Sequence, residues 1–110
     1  MMKKFILSSL LLFISHTMFG QIEVKYFNAG WNGANDVDWV SKLSDCDLER
    51  YDVGAVPADA SKYKVVVVPT IIIFQDGEEV ERYQADLSFK MSATREEVQD
   101  YIDELVMSAF

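Results

Sequence analysis

The sequence predicts an α/β domain built on a mixed four-stranded sheet flanked by helices. Three observations carry that expectation. An apolar run, Ile22–Ala29, reads as a strand buried on both faces. Thr70–Phe74, with three consecutive isoleucines, is followed by Asp76-Gly77 and a second strand-like segment, which is the pattern of a hairpin. The C-terminal stretch repeats apolar residues at i, i+3 and i+4, the spacing of a helix that lays one face on a sheet.

The chain has 110 residues, enough for one domain. Its first stretch is expected to stand outside that domain. Lys3 and Lys4 precede an uninterrupted apolar or small run, Phe5–Ile14, and Ser15–Gly20 adds small and polar residues. This is the layout of a secretory signal peptide over residues 1–20, cut near Gly20/Gln21. The apolar run falls short of the roughly 20 residues a membrane span needs. A buried N-terminal helix is the alternative. The expected product is a secreted or periplasmic domain over residues 21–110, with no membrane span and no lipoprotein anchor, since no cysteine stands at the cut.

The elements follow in order. Ile22, Val24, Tyr26 and Asn28 alternate with Glu23, Lys25, Phe27 and Ala29 in the first strand. Gly30–Asn35 reads as a turn, after which Asn35 or Asp36 would cap a short helix containing Val37, Trp39, Val40 and Leu43. Leu48–Val53 is the second strand, closed by Gly54 and Pro57, and Asp59–Tyr63 supplies one or two helical turns. The β-branched run Val65–Val68 stops at Pro69, and Thr70–Phe74 is the third strand. Glu79–Gln84 is its antiparallel mate across the Asp76-Gly77 turn, and Ser88–Ala93 is a polar connector. Thr94-Arg95-Glu96-Glu97 has the spacing of a capping box. The closing helix presents Val98, Tyr101, Ile102, Leu105, Val106 and Ala109 on one face. The order is β-α-β-α-β-β-α, with the first two strands parallel and the last two a hairpin.

Without residues 1–20 the chain carries 8 basic and 18 acidic side chains, net −10, and loses its one histidine, His16. A field of that sign repels nucleic acid and anionic lipid. It reads either as a solvated acidic surface or as a face for basic partners. The absence of a histidine from residues 21–110 excludes Cys/His and Ser/His/Asp catalysis and zinc sites built from histidine and cysteine. The carboxylates show no calcium-loop spacing, and no glycine-rich phosphate loop is present. No metal and no cofactor is therefore expected. The single cysteine, Cys46, cannot form an intramolecular disulfide. It is either buried or available to another molecule.

Trp31-Asn32-Gly33-Ala34-Asn35 after the first strand, together with Lys62-Tyr63, Val65–Val68, Pro69-Thr70 and the strand and turn of Ile71–Gly77, resembles the thioredoxin family. The family's signature is W-C-G-P-C after a strand, with a cis-proline ahead of a later strand. Trp31 and Gly33 match that signature. Asn32 and Asn35 stand at its two cysteine positions, and Ala34 stands at its proline. Tyr26 falls where many members keep a buried aspartate, and Gln84 where a glycine commonly ends the last strand. The resemblance covers residues 21–110 without a counterpart of the family's N-terminal strand and helix. It implies a thioredoxin-like β-α-β-α-β-β-α core.

An amide does not ionise near neutral pH and cannot enter a mixed disulfide, so neither asparagine can attack or resolve one. The expected activity is redox-inactive peptide or protein binding of an adaptor or chaperone-like kind, with no catalytic residue. By resemblance, Trp31, Asn32, Gly33, Ala34 and Asn35 form one wall of a peptide groove and Val68, Pro69 and Thr70 the other. The Val68–Pro69 bond is then expected to be cis, against the alternative of a trans proline that opens an edge strand. The two asparagines would offer amide groups to an extended backbone, or serve only as turn and cap residues. Two rival readings use Cys46. One makes it the candidate reactive thiol of a thiol-disulfide oxidoreductase. The other makes it an intermolecular link in a structural subunit, so the chain is a monomer or a Cys46-linked dimer.

Overall fold

The computed structural model describes residues 21–109; the expected signal segment, residues 1–20, and Phe110 lie outside the described residues. Four strands form one sheet in the order β2-β1-β3-β4. They are β1 (Ile22–Asn28), β2 (Asp47–Asp52), β3 (Thr70–Gln75) and β4 (Glu78–Gln84). As expected, β1 and β2 run parallel, while β3 is antiparallel to both β1 and β4. Two α-helices flank the sheet, α1 (Pro57–Lys62) and α2 (Arg95–Ser108).

Alternation along β1 and β3 divides the core between the two faces of the sheet. Ile22, Val24 and Tyr26 of β1 and Ile71 and Ile73 of β3 point to the face covered by α2, where Val98 and Ile102 meet them. Phe27, Ile72 and Phe74 point to the opposite face, against Tyr51, Tyr63 and Val65. The period of two that separates these sets also explains why both strands look apolar throughout: each is central and buried on both sides.

The Asp76-Gly77 turn has positive φ at both residues, 53° and 85°, as a two-residue hairpin demands. A bulge between Ile73 and Phe74 pairs them with Glu81 and Glu79, leaving Val80 without a partner. The Val80 carbonyl accepts the Tyr101 hydroxyl from α2 at 3.0 Å. At the start of α2, Thr94 Oγ1 accepts the Glu97 backbone N–H at 3.2 Å, the expected cap.

The first helix departs from expectation. In place of an α-helix capped by Asn35 or Asp36, the chain makes two 3₁₀ helices, Gly30–Asn35 and Asp38–Lys42, and neither has a side-chain cap. Asp36, between them, is extended at φ −62°, ψ 144°. The physical reason lies in β1. The Tyr26 hydroxyl donates to Asp36 Oδ1 at 2.5 Å and accepts the Val37 backbone N–H at 2.8 Å. One tyrosine thus engages the carboxylate that would have capped the helix and a backbone donor at its start.

Candidate functional site

The Trp31–Asn35 loop leaves the C-terminal end of β1 and turns at once. The Asn32 N–H bonds the Ala29 carbonyl at 2.9 Å, closing the first 3₁₀ turn. That turn buries the Asn32 side chain, which is 4% exposed, and turns Trp31 outward at 67%. Asn32 is held on all sides. Its Nδ2 donates to Asn28 Oδ1 at 3.1 Å and to the Phe89 carbonyl at 3.3 Å, while its Oδ1 accepts from Asn35 Nδ2 at 2.9 Å. Asn28 Nδ2 extends the network to Asp36 Oδ1 at 3.3 Å, and Asp36 meets Tyr26. Both amide hydrogens of Asn32 and its oxygen are thus occupied within the fold. The expectation that this residue offers its amide to a bound backbone gives way to a structural role. A buried amide without such partners would be costly.

Tyr26, at the position where the resemblance places a buried acid, is itself sheltered. Burial raises its phenol pKa, and the hydrogen bond to Asp36 raises it further. It stays protonated at physiological pH and acts as a fixed hydrogen-bonding post.

The second expected wall lies at the same end of the sheet. Thr70 pairs with Phe27 in the β1–β3 register, so the segment before it runs beside the exit of β1. The Val68–Pro69 bond is cis. The side chains of Val68, Pro69 and Thr70 are buried, and Thr70 Oγ1 donates to the Val67 carbonyl at 2.6 Å. Gly33 and Ala34 are exposed and Asn35 is half-buried.

The two walls are joined by a loop that runs into the polar connector expected over Ser88–Ala93. Ala85 N donates to the Pro69 carbonyl at 3.0 Å, and the Phe89 carbonyl holds Asn32. Between these points Asp86 winds the loop: its Oδ1 accepts from Ser88 N at 2.8 Å, Ser88 Oγ at 2.5 Å and Lys90 N at 3.3 Å. These bonds, led by that to the Ser88 hydroxyl, hold the Asp86 carboxyl below its ordinary pKa. The tight winding sets Phe89 at φ +64° and delivers its ring edge-on to Trp31, centroids 5.2 Å apart at 88°. Leu87, at the tip, is 98% exposed. Trp31, Phe89 and Leu87 thus place three large apolar side chains at the surface. The available sequence signal was Leu87-Ser88-Phe89, two large apolar residues within a segment otherwise suited to solvent.

Cys46 lies apart from this site, in the bend before β2, and is half-buried. Burial pushes its thiol up to about 11, with Asp47 and Asp45 adding to the effect. Thiolate chemistry needs the opposite shift. Among the described residues no helix is long and apolar enough to cross a membrane.

No family model matches the chain. Among curated proteins, a stretch of 36 residues is 44% identical to a thioredoxin of Staphylococcus epidermidis. It is 42% identical to a thioredoxin of Staphylococcus aureus. Each match spans 33% of this chain and 35% of the relative, about a third of the relative's length. Solved structures extend the likeness over most of the chain. The N21Q mutant thioredoxin from Halobacterium salinarum NRC-1 aligns with a TM-score of 0.63 and 26% identity, covering 79% of this chain and 76% of that one. Thioredoxin 1 from Thermosipho africanus TCF52B aligns with a TM-score of 0.62 and 22% identity, covering 79% and 97%. The chain has a thioredoxin-like fold, with asparagine where its sequence resemblance to that family puts the two signature cysteines.

Proposed function

We propose that this chain is an exported binding module, redox-inactive at the position where thioredoxins carry their dithiol. Its site would take an extended peptide or an unfolded segment of a protein partner. The observation that carries this reading is the joint state of Trp31 and Asn32. The asparagine is locked inward by side-chain hydrogen bonds to three residues, Asn28, Asn35 and Phe89, while the adjacent tryptophan is held outward against Phe89. A surface that spends a network of buried hydrogen bonds to present aromatic rings suits an apolar ligand better than electron transfer. Val68–Thr70 and the Ala85–Lys90 loop complete the rim.

Export rests on the composition of residues 1–20 and belongs to the same proposal. Cys46 carries the rival oxidoreductase reading, which its burial and raised pKa oppose. The test is a disulfide-reductase assay on the purified protein beside a Cys46→Ser variant, followed by capture of peptides through Trp31 fluorescence. The binding reading expects no turnover in either protein and a fluorescence response lost in Trp31→Ala. Turnover that disappears in Cys46→Ser would overturn it in favour of a Cys46 enzyme. Non-reducing electrophoresis separates the linked-dimer reading: a monomer band without reductant removes it.

A further inference from the structure

A cleft of about 340 Å³ opens beside the Trp31 loop at the C-terminal ends of β1 and β2. Its place in the topology matters. The connection leaving β1 crosses the face where Val37 and Val40 pack, and the connection leaving β2 crosses the opposite face, where Tyr63 and Val65 pack. Two parallel neighbours whose connections diverge to opposite faces leave a crevice between their carboxyl ends. Open α/β sheets bind ligands in such crevices.

The lining is bipolar. Arg50 sits across from Tyr26 in the β1–β2 register, and its guanidinium lies over the Tyr26 ring, 5.3 Å from the centroid. Its one carboxylate neighbour within salt-bridge reach among the described residues, Asp36 Oδ2, stands at 4.0 Å, too far for a hydrogen bond. The fork is therefore oriented by stacking but leaves its donors open, the state suited to a planar carboxylate. Two residues further along β2, and so on the same face of the sheet, Asp52 Oδ1 accepts from Gly30 N at 3.4 Å, Gly54 N at 2.9 Å and Ala55 N at 3.2 Å. Asp52 Oδ2 has no such partner among the described residues. A Cβ at position 30 would lie 3.6 Å from that oxygen, so glycine there keeps it uncovered, and a Cβ at Gly33 would meet nothing within 4 Å. Neither glycine has the positive φ that would demand glycine.

We propose that this cleft binds a small zwitterion of the free α-amino-acid class. The ligand carboxylate pairs with Arg50, and its ammonium faces Asp52 Oδ2 and the Asp36 carboxylate. Two acids beside one guanidinium disfavour a dianion such as phosphate. A lone cation would meet Arg50, and a lone carboxylate would meet Asp52. A ligand carrying both charges satisfies Arg50 and Asp52 together. The volume suits a small side chain. The cleft borders the peptide surface through Gly33 but does not include Trp31.

The experiment is an NMR titration of the purified protein with L-alanine, following the Gly30 and Gly33 amides and Arg50 Nε. N-acetyl-L-alanine and L-alanine methyl ester serve as one-charge controls. The expected result is saturable binding of L-alanine, with each control weaker by about tenfold or more. Arg50→Gln should weaken L-alanine by a similar factor. Arg50→Lys, which keeps the charge but not the fork, should restore part of it. Absence of saturable shifts, equal binding by either control, or indifference to Arg50→Gln would each overturn the proposal.

Discussion

The two faces of the sheet solve the same problem with different chemistry. The face under α2 is mainly aliphatic at its centre: valines and isoleucines from β1 and β3, with Tyr26 the one aromatic among the cluster's buried residues, interlock with Val98 and Ile102 on a helix of 14 residues. The other face has only the six-residue α1 to cover it and is closed mainly by aromatic rings. There the Phe27 and Tyr51 rings stack at 4.7 Å and 12°, as their pairing in the β1–β2 register dictates. Tyr63 tilts onto both. Long cationic side chains complete that cover. Lys25 lies buried with its ammonium 2.9 Å from Glu49 Oε1 and 5.5 Å from the centroids of the Tyr63 and Phe74 rings. Arg82 reaches the Tyr63 and Lys64 carbonyls at 2.7 and 2.9 Å while pairing with Glu79. Where a helix is too short to seal a sheet, amphipathic side chains can do so, with the stem on the rings and the head at the rim.

That contrast can be broken from either side. The largest effect is expected on the mainly aliphatic face, at a side chain that is fully buried among apolar neighbours. Ile102→Ala should cost about 2–5 kcal/mol in chemical denaturation, the range for deleting a buried isoleucine side chain without collapse of the site. A near-neutral result would mean that α2 is not the seal described. On the aromatic face, Arg82→Ala should cost about 1–3 kcal/mol, because two carbonyls and a carboxylate lose a charged donor. Lys25→Met should fall within about 1 kcal/mol of wild type, since an apolar chain of similar length suits a cage of rings. A penalty as large as that of Ile102→Ala would show that the ammonium, rather than its stem, holds this face together.

The faces should also differ in their response to acid. Hydrogen bonds from Lys25 and then Tyr51 hold Glu49 below the ordinary value of 4.5, and Arg82 does the same for Glu79. A carboxyl whose folded pKa is depressed contributes stability above its unfolded pKa and loses it as pH falls through the folded value. Stability should therefore decline as pH drops below about 4.5, and Glu49→Gln should flatten part of that decline in a denaturation series. Glu49 is half exposed, so the change is expected to be small. An unchanged slope would remove Glu49 from the acid response. The last effect concerns Cys46, which packs half-buried at the edge of the cluster under α2. Burial pushes its thiol up to about 11, so less thiolate is present at neutral pH and alkylation should be slower than for an exposed cysteine, by about tenfold once the greater nucleophilicity of a more basic thiolate is allowed for.

The sequence disclosed most of this fold because its signals were redundant. Three isoleucines, an Asp-Gly turn and a capping box each name one element, and the structure places β3, the hairpin and α2 where those residues put them. The first helix escaped the same reading because its fate depends on Tyr26, a residue in a different element, which reaches Asp36 and Val37 only once β1 is in place. The candidate site was legible at Trp31 and less so around it. Burial of Asn32 depends on Asn28 and on the Phe89 carbonyl, 57 residues away. Local pattern carries no trace of such a contact. Arg50 was equally hidden, since its stacking on Tyr26 follows from strand register and not from spacing along the chain.

The strands at the rim of the sheet decide how one copy of this protein meets another. β2 and β4 are its two free borders, and both are rich in carboxylates: Asp47, Glu49 and Asp52 on one, Glu78, Glu79 and Glu81 on the other. An unpaired border is a template on which another copy can add strands, and like charge along it is the usual deterrent. A third of the acidic residues, six of eighteen, therefore stand where they keep one sheet from continuing into the next. The deterrent fades as those carboxylates take up protons, which makes acid the condition under which this protein is expected to polymerise edge to edge.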